Sequence, residues 1–224
     1  MINILAFGSC RVKDSVKYFG GKDKYKFNFI NFTNHSIKES LFIIKYAFGL
    51  ISLEELKNSM IFFEKSNMSK LNGFTEEYRK QIKKYIEECN ILLIENASIR
   101  VDRSTKDTLP LKYFKDTLDE IYKMCKKKII IITHLNTIYN ERVRLVKNRL
   151  ILDFFFLNIT SKNKDYYVIC PREIVKNNKN LDEIKEIMVK KQNNTIDLNH
   201  YNIKGMEKYY NLMKKNLDEI FKEG

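Results

Sequence analysis

Three consecutive residues near the start of the chain combine a turn former with two nucleophilic side chains. Gly8, Ser9 and Cys10 directly follow the apolar run Ile2 to Phe7 and come before a segment with helical spacing. A small residue permits a sharp turn from strand to helix, and the free N–H groups at a helix N-terminus stabilise an anion. This position therefore suits a nucleophile that attacks an acyl group.

Basic residues follow this turn at once. Arg11 and Lys13 stand beside Cys10, and positive charge near a helix N-terminus lowers the pKa of a thiol. We therefore expect Cys10 to be partly thiolate at neutral pH and the free N–H groups to serve as an oxyanion hole. The alternative interpretation is a tight turn that contains a buried cysteine, and the tripeptide alone does not exclude it.

An acid and a base stand close together near the other end of the chain. Asp197 and His200 are three residues apart, just before the last segment with helical spacing. If both lie in one turn, the carboxylate orients the imidazole, as an acyl-transfer triad requires. The alternative interpretation is a helix-capping aspartate with a nearby surface histidine.

Short apolar runs alternate with segments of helical spacing along the chain. The runs are continuous, which is typical of strands in a sheet covered on both faces; they span 2–7, 27–32, 91–94, 129–133 and 166–170. Helical segments include a capping box at Ser36 and Glu39, a long helix over 135–156 and a last helix over 203–221. This order predicts a three-layer α/β/α fold with a five-stranded parallel sheet, flavodoxin-like in type.

Residues 50–88 carry helical spacing between the second and third predicted strands and contain no strand pattern of their own. We interpret them as a helical insertion in a single domain that spans 1–224. The length of 224 residues fits one domain of this size.

Further polar residues follow the predicted strands, at the edge where open parallel sheets bind ligands. His35 follows the second strand and His134 the fourth. Each fits a substrate ligand, an alternative base or a hydrogen-bonded structural histidine, and we favour the structural role because His200 fills the base role better. Arg100 and Arg172, after the third and fifth strands, fit either a site for a carboxylate or phosphate or surface salt bridges.

Composition and charge limit the function classes. A hydrophobic share of 44% and a charged share of 31% indicate a globular chain with a real core. The net charge of +13 is spread among interleaved acidic residues, which favours solvated helix faces over a polyanion-binding surface. We therefore do not expect a nucleic-acid partner.

The cysteines and the N-terminus indicate the compartment. The four cysteines, at 10, 89, 125 and 170, have no C-x-x-C spacing, so we expect free thiols and no metal site. No apolar run approaches the ~18 residues that span a bilayer, and the N-terminus lacks the pattern of a signal peptide. These features predict a cytoplasmic protein without a transmembrane segment.

Gly8-Ser9-Cys10 after the first strand, together with Asp197-x-x-His200 before the last helix, resembles the SGNH/GDSL hydrolase superfamily. The resemblance is closer to bacterial branches with G-S-C or G-N-C in place of G-D-S, some of which are linked to surface-polysaccharide biosynthesis. It runs along the whole chain but rests on few residues. It implies that Cys10 is the nucleophile, or Ser9 if the turn is shifted by one, and that Asp197 and His200 supply acid and base.

The resemblance also implies roles outside the triad. Asn96 is nearest to the asparagine that donates to the oxyanion, although Ile94 and Ala97 replace the glycine and aspartate of the G-x-N-D block. Arg11 belongs to the same set of oxyanion or substrate-binding candidates.

The activity implied is ester hydrolysis or O-acyl transfer on a carbohydrate. Because a thiolate forms a thioester, acyl transfer fits as well as hydrolysis. No cofactor is required, and transfer would use an acyl donor such as acyl-CoA. The oligomeric state stays open, including a homo-oligomer. The other interpretations are a catalytically silent carbohydrate- or nucleotide-binding module on the same fold, and a basic nucleic-acid-binding protein.

Overall fold

The computed structural model describes residues 1–21, 24–30, 36–59, 73–96, 108–135, 143–176, 180–193 and 195–222, without the side chains of 143–146, 198 and 199. A parallel sheet runs in the order β2-β1-β3-β4-β5. Its strands are β1 (Ile2–Phe7), β2 (Tyr25–Phe29), β3 (Ile91–Glu95), β4 (Lys128–Ile132) and β5 (Tyr166–Ile169). A small antiparallel sheet pairs β6 (Met188–Lys190) with β7 (Ile196–Tyr201).

Helices separate the strands along the chain. They are α1 (Cys10–Phe19), α2 (Ile37–Ala47), α3 (Leu53–Ser59), α4 (Glu76–Glu88), α5 (Leu111–Cys125), α6 (Val143–Thr160), α7 (Leu181–Ile187) and α8 (Ile203–Ile220), with a 3-10 helix at Pro171–Ile174. The predicted capping box is present: Ser36 Oγ accepts from the N–H of Glu39, and the Glu39 carboxylate accepts from the N–H of Ser36.

Both faces of the parallel sheet are buried. Along β1, Leu5 and Phe7 pack with α2, α4, α5 and α6, whereas Ile4 and Ala6 pack with α1, α7 and α8. Alternate side chains of a strand point to opposite faces, so a strand covered on both sides must be apolar throughout. The three-layer α/β/α fold predicted from the sequence is confirmed.

The strand order creates a crevice beside β1. The chain passes from β1 to β2 on one side and then returns to place β3 on the other side. Ligands of such sheets bind at the carboxyl ends of the strands where this reversal occurs. Cys10 begins α1 directly after β1, and Glu95 is the last residue of β3, so both lie at this edge.

The two ends of the chain lie side by side. Helix α1 packs against α8 on one face of the sheet. The Tyr25 hydroxyl at the start of β2 donates a 2.6 Å hydrogen bond to Asp218 Oδ1 in α8. This packing brings the segment that precedes α8 toward the turn that precedes α1.

Element boundaries differ from the sequence prediction in two places. Strand β2 covers Tyr25–Phe29, and Lys26 and Asn28 alternate with apolar residues because this strand lies at the edge of the sheet. Helix α6 extends to Thr160, four residues beyond the predicted end. Its own apolar residues are spread around all sides of the helix, so the sequence shows no apolar stripe whose end would mark the end of the helix. Residues 31–32 and 136–142 lie outside the described residues.

The predicted insertion contains α3 and α4 within its described residues. Leu56 of α3 and Ile82 and Ile86 of α4 are buried in the same apolar cluster as α2. The segment 60–72 lies outside the described residues. These helices thus cover part of one face of the parallel sheet.

Candidate active site

The turn after β1 is shaped by its two small residues. A Cβ on Gly8 would lie 2.9 Å from Cβ and Cγ2 of Val12, so only glycine allows α1 to approach the strand end this closely. Ser9 is buried and caps α1, with its Oγ accepting from the N–H of Arg11 at 3.3 Å. Cys10 is therefore the first residue of α1 and is partly exposed.

The pKa of the Cys10 thiol differs from the sequence prediction. Burial raises the pKa of Cys10 above its usual value; the charge of Arg11 lowers it, and the charges of Glu95 and Asp14 raise it. Arg11 turns inward to the Glu95 carboxylate, and Lys13 is exposed. The expectation of a partly ionised thiol is wrong, so Cys10 is protonated at neutral pH and needs a base for nucleophilic attack.

A fully buried carboxylate lies behind this turn. Oε2 of Glu95 accepts a 2.6 Å hydrogen bond from the backbone N–H of Ser9. Oε1 accepts from Nη2 of Arg11 at 2.8 Å and from Nε at 3.2 Å. A buried charge is tolerated when it is paired and hydrogen-bonded in this way.

His134 holds the other side of the carboxylate. Its Nε2 lies 2.8 Å from Glu95 Oε1, and its Nδ1 lies 2.9 Å from Nη2 of Arg149. Because a guanidinium only donates, Nδ1 accepts and Nε2–H donates to Glu95. The Arg11 guanidinium also contacts Nε2. Arg149 is anchored in turn by a 3.0 Å hydrogen bond from Nη1 to the carbonyl of Leu135.

Burial and the two arginines set the protonation states of this network. Burial first, and then the charges of Arg11 and Arg149, lower the pKa of His134 well below 6.5, so the imidazole is neutral. Burial also lowers the pKa of Arg149 to about 10. His134 therefore acts as a neutral structural histidine, the role that the sequence favoured.

We expect this buried imidazole to make folding stability depend on pH. Unfolding raises the pKa of His134 to about 6.5, so the unfolded chain binds one more proton below that pH. The free energy of unfolding should then fall by about 1.4 kcal/mol for each pH unit below 6.5. Urea unfolding at pH 7.5 and pH 5.5 measures this loss.

The matched variant is His134→Gln, whose amide can still donate to Glu95 and accept from Arg149. It has no titrating group, so the wild type should lose more stability than the variant over the same pH interval. Equal losses in both proteins would contradict a neutral buried His134.

Asp197 and His200 form the predicted hydrogen bond on an unexpected element. Nδ1 of His200 lies 2.9 Å from Oδ2 of Asp197, and both residues belong to strand β7. Opposite β7, Met188 pairs with Tyr201, yet the adjacent Val189 pairs with Asp197. Residues 198–200 thus bulge out of the ladder, and the bulge brings the imidazole back to the carboxylate.

The residue after this pair adjoins the buried network. Tyr201 ends β7 and is 3% exposed, whereas 55% of the His200 side chain is exposed. Burial raises the pKa of Tyr201, and the charges of Arg11 and Arg149 oppose this rise. Strand β7 therefore ends within electrostatic reach of the charges that hold the Cys10 turn, and His200 is exposed to solvent.

The remaining predicted site residues fall into two groups. Asn96 is fully buried, and its Oδ1 accepts a 2.9 Å hydrogen bond from the N–H of Ile37, so its amide oxygen holds the start of α2. Arg172 lies in the 3-10 helix after β5; burial raises the pKa of Asp153, and the charge of Arg172 is one of the effects that oppose this rise. His35 and Arg100 lie outside the described residues.

Comparison of the sequence with protein families and with curated proteins gives no match. Among solved structures, the chain is similar to a family 3 carbohydrate esterase from Clostridium thermocellum, with 9% identity and a TM-score of 0.48 over 98% of this chain and 96% of that one. It is also similar to a carbohydrate esterase family 3 structure from Talaromyces cellulolyticus, with 9% identity and a TM-score of 0.47 over 100% of both chains.

Sequence reasoning missed the charged residues that organise this edge of the sheet. Glu95 and Arg149 were not candidates, and Tyr201 was only part of the segment before the last helix. The sequence could have identified Glu95, since it directly follows the apolar run Ile91 to Ile94. An acid at the end of a buried strand requires a hydrogen-bonding or charged partner.

The described part of the chain contains no group of three or more His, Cys, Asp or Glu side chains that could hold a metal ion. Across the same residues, no helix is both long enough and apolar enough to cross a membrane.

Proposed function

We propose that this protein is an SGNH-like acyl hydrolase or O-acyltransferase that uses Cys10, His200 and Asp197. The observation that carries the proposal is the hydrogen-bonded Asp197–His200 pair on β7, the strand directly before α8, which packs against the helix α1 that begins at Cys10. Together with the G-S-C turn at the crevice beside β1, this arrangement has the parts that acyl transfer needs.

Cys10 is the nucleophile in this proposal, rather than Ser9. The Ser9 hydroxyl is committed to capping α1, and the residue is 1% exposed. Cys10 is partly exposed at the helix N-terminus, where the backbone dipole stabilises the thiolate as it forms.

His200 removes the thiol proton in the same step as attack. Asp197 accepts from Nδ1–H, so Nε2 carries the lone pair and serves as the base. As Sγ bonds to the carbonyl carbon of the ester, its proton passes to Nε2. When the tetrahedral intermediate collapses, the C–O bond breaks and Nε2–H protonates the departing alkoxide, which leaves a thioester on Cys10.

The second half of the reaction reverses these roles. Water or a saccharide hydroxyl attacks the thioester, its proton passes to Nε2 of His200, and the departing thiolate of Cys10 regains that proton. The N–H of Cys10 stabilises the oxyanion in both halves, and each such donor contributes about 3 kcal/mol to transition-state stabilisation. The sequence resemblance also implies Asn96 as a donor, but this side chain is fully buried and its Oδ1 holds the N–H of Ile37.

The substrate class in this proposal is an acyl ester of a carbohydrate, as the sequence resemblance implies. Arg172 and Arg100 are proposed to bind an anionic group of the sugar or of an acyl donor such as acyl-CoA.

The test is to trap the thioester. Wild-type protein incubated with 4-nitrophenyl acetate, quenched in acid and digested should carry acetyl on the peptide that contains Cys10. Neutral hydroxylamine should remove this group, because it cleaves thioesters. His200→Gln should form the adduct more slowly, since it lacks the base. Acetyl found only on lysine side chains would contradict the proposed nucleophile.

Replacing the ester by acetyl-CoA separates hydrolysis from transfer. Release of free CoA in buffer alone indicates hydrolysis, whereas release that depends on an added saccharide indicates transfer. Absence of both reactions, together with absence of the thioester, would leave the catalytically silent binding module as the function.

A further inference from the structure

A single buried carboxylate holds the residues on both sides of Cys10. Oε2 of Glu95 accepts from the backbone N–H of Ser9 at 2.6 Å, and Oε1 accepts from Arg11 at 2.8 and 3.2 Å. Cys10 lies between these two residues in sequence. The backbone before the thiol and the side chain after it are thus fixed to the same group.

The carboxylate itself has little freedom to move. Glu95 is the last residue of β3, which pairs with β1 through Ile94 and Phe7, and it is fully buried. Behind it, His134 at the end of β4 donates to Oε1 and is itself held by Arg149 of α6. Three strand ends and one helix therefore determine where the turn lies.

We infer that Glu95 is a positioning residue that holds the turn on both sides of Cys10 and thereby sets the orientation of the Cys10 thiol and its N–H. The inference rests on the proposed function for its catalytic part. Its electrostatic part, the effect of the Glu95 charge on the thiol, follows from the same contacts and is tested by thiol reactivity without any acyl chemistry.

The hydrogen bonds also exclude two backbone N–H groups of the turn as oxyanion donors. The N–H of Ser9 is used by Glu95, and the N–H of Arg11 points to Ser9 Oγ. Of the N–H groups of these three residues, that of Cys10 is therefore the proposed oxyanion donor. A turn released from Glu95 would allow the Ser9 N–H to compete for the oxyanion position and would misplace the thiol.

The reactivity of the Cys10 thiol as a function of pH distinguishes this role from a purely structural one, because a residue that only stabilised the fold would not change it. The groups that act on the Cys10 thiol are Arg11 and Asp14 from α1, Glu95 from β3 and Tyr209 from α8. Glu95 raises the pKa of Cys10 and Arg11 lowers it. Burial, the largest cause of the raised pKa, and the charge of Asp14 remain when the charge of Glu95 is removed, but Arg11 is then opposed less strongly, so the pKa of Cys10 should fall.

The experiment compares thiol reactivity and acyl turnover in Glu95→Gln. Iodoacetamide alkylation of Cys10 is followed by mass spectrometry across a pH series, and kcat and KM are measured with 4-nitrophenyl acetate. The alkylation profile should move to lower pH, so alkylation at pH 7 becomes faster. The value of kcat should fall by about a hundredfold, as expected for a misplaced nucleophile, with KM little changed.

The chain offers good controls for this measurement. Cys89, Cys125 and Cys170 are buried, and burial raises their pKa values to about 11, 12 and 12, so fast alkylation reports Cys10. Glu207→Gln removes the same charge from an exposed position of α8 and should leave both the alkylation profile and kcat as in the wild type.

Glu95→Asp distinguishes the effect of the carboxylate's position from the effect of its charge. It also tests the inference if Glu95→Gln does not fold. It keeps the charge but withdraws the carboxylate by one methylene from the Ser9 N–H. We expect kcat to fall while the alkylation profile stays close to that of the wild type. Full activity in Glu95→Asp, or an unchanged alkylation profile in folded Glu95→Gln, would overturn the inference.

A failure of the proposed function gives a different result. If the wild type turns over no ester, that function is rejected, and the alkylation profile of Glu95→Gln decides the electrostatic part alone. A shift to lower pH then supports the effect of Glu95 on the thiol, and no shift rejects it.

Discussion

Cys10→Ala is expected to abolish acyl turnover and to leave the fold intact. The thiol is the attacking atom in the proposed reaction, and removal of the nucleophile from a triad lowers kcat by about a millionfold in a well-studied case. Even with a smaller effect, kcat should fall by about a thousandfold or more. Initial rates with 4-nitrophenyl acetate measure the loss, and circular dichroism checks the fold.

The alanine is well tolerated for a local reason. Cys10 is the first residue of α1 and is partly exposed, and alanine has the highest helix propensity. A loss of activity therefore cannot be assigned to unfolding when the helical signal and the midpoint of thermal unfolding are retained. Turnover like that of the wild type in this variant would reject Cys10 as the nucleophile.

Ser9→Ala is the control that separates the two candidate nucleophiles. Loss of the N-cap should lower the free energy of unfolding by about 1 kcal/mol, because the Ser9 hydroxyl accepts from the N–H of Arg11. The variant should still form the acetyl adduct on Cys10. Ser9 would be the nucleophile if Ser9→Ala formed no acetyl adduct and Cys10→Ala still carried acetyl on Ser9.

The parallel sheet could be predicted because its central strands are buried on both faces. Leu92, Leu93, Ile130 and Ile131 are all fully buried, and such strands read as continuous apolar runs. The start of the edge strand β2 was misplaced by two residues because Tyr25 alone of its five residues is buried and the apolar pattern weakens there. Strands β6 and β7 were missed because one is three residues long and the other is largely polar.

The hydrogen bond between Asp197 and His200 was predicted for a partly wrong reason. The spacing of Asp197 and His200 indicated a turn before the last helix, and the structure has a bulged strand. The bulge gives the same outcome, a 2.9 Å hydrogen bond, because it folds residues 198–200 out of the ladder. The three-residue spacing was sufficient to predict that the two side chains meet. The conformation of the backbone between them depends on the pairing of β7 with β6, which the spacing does not show.

The charge environment of Cys10 could not be predicted from neighbours in sequence. Arg11 precedes Glu95 by 84 residues, and the pair forms only when β1 and β3 lie side by side. Sequence proximity suggested a cation beside a thiol. The folded chain instead neutralises that cation with a buried carboxylate, so burial dominates the pKa of Cys10.

Arg11→Met is expected to destabilise the fold strongly. Methionine keeps much of the side-chain volume but removes the cation, and Glu95 remains fully buried with its negative charge uncompensated. Removing one partner of a buried ion pair typically costs about 3–5 kcal/mol. Urea unfolding at pH 7.5 should show this loss in the free energy of unfolding.

Two further variants show whether the uncompensated charge is the cause. Lys24→Met breaks the Lys24–Asp218 pair, whose lysine side chain is 51% exposed, and should cost less than about 1 kcal/mol. Adding Glu95→Gln to Arg11→Met removes the stranded charge, so the double variant should regain part of the lost stability. If Arg11→Met loses no more than Lys24→Met, the Glu95 carboxylate does not depend on Arg11, and Ser9 and His134 alone are sufficient to hold it.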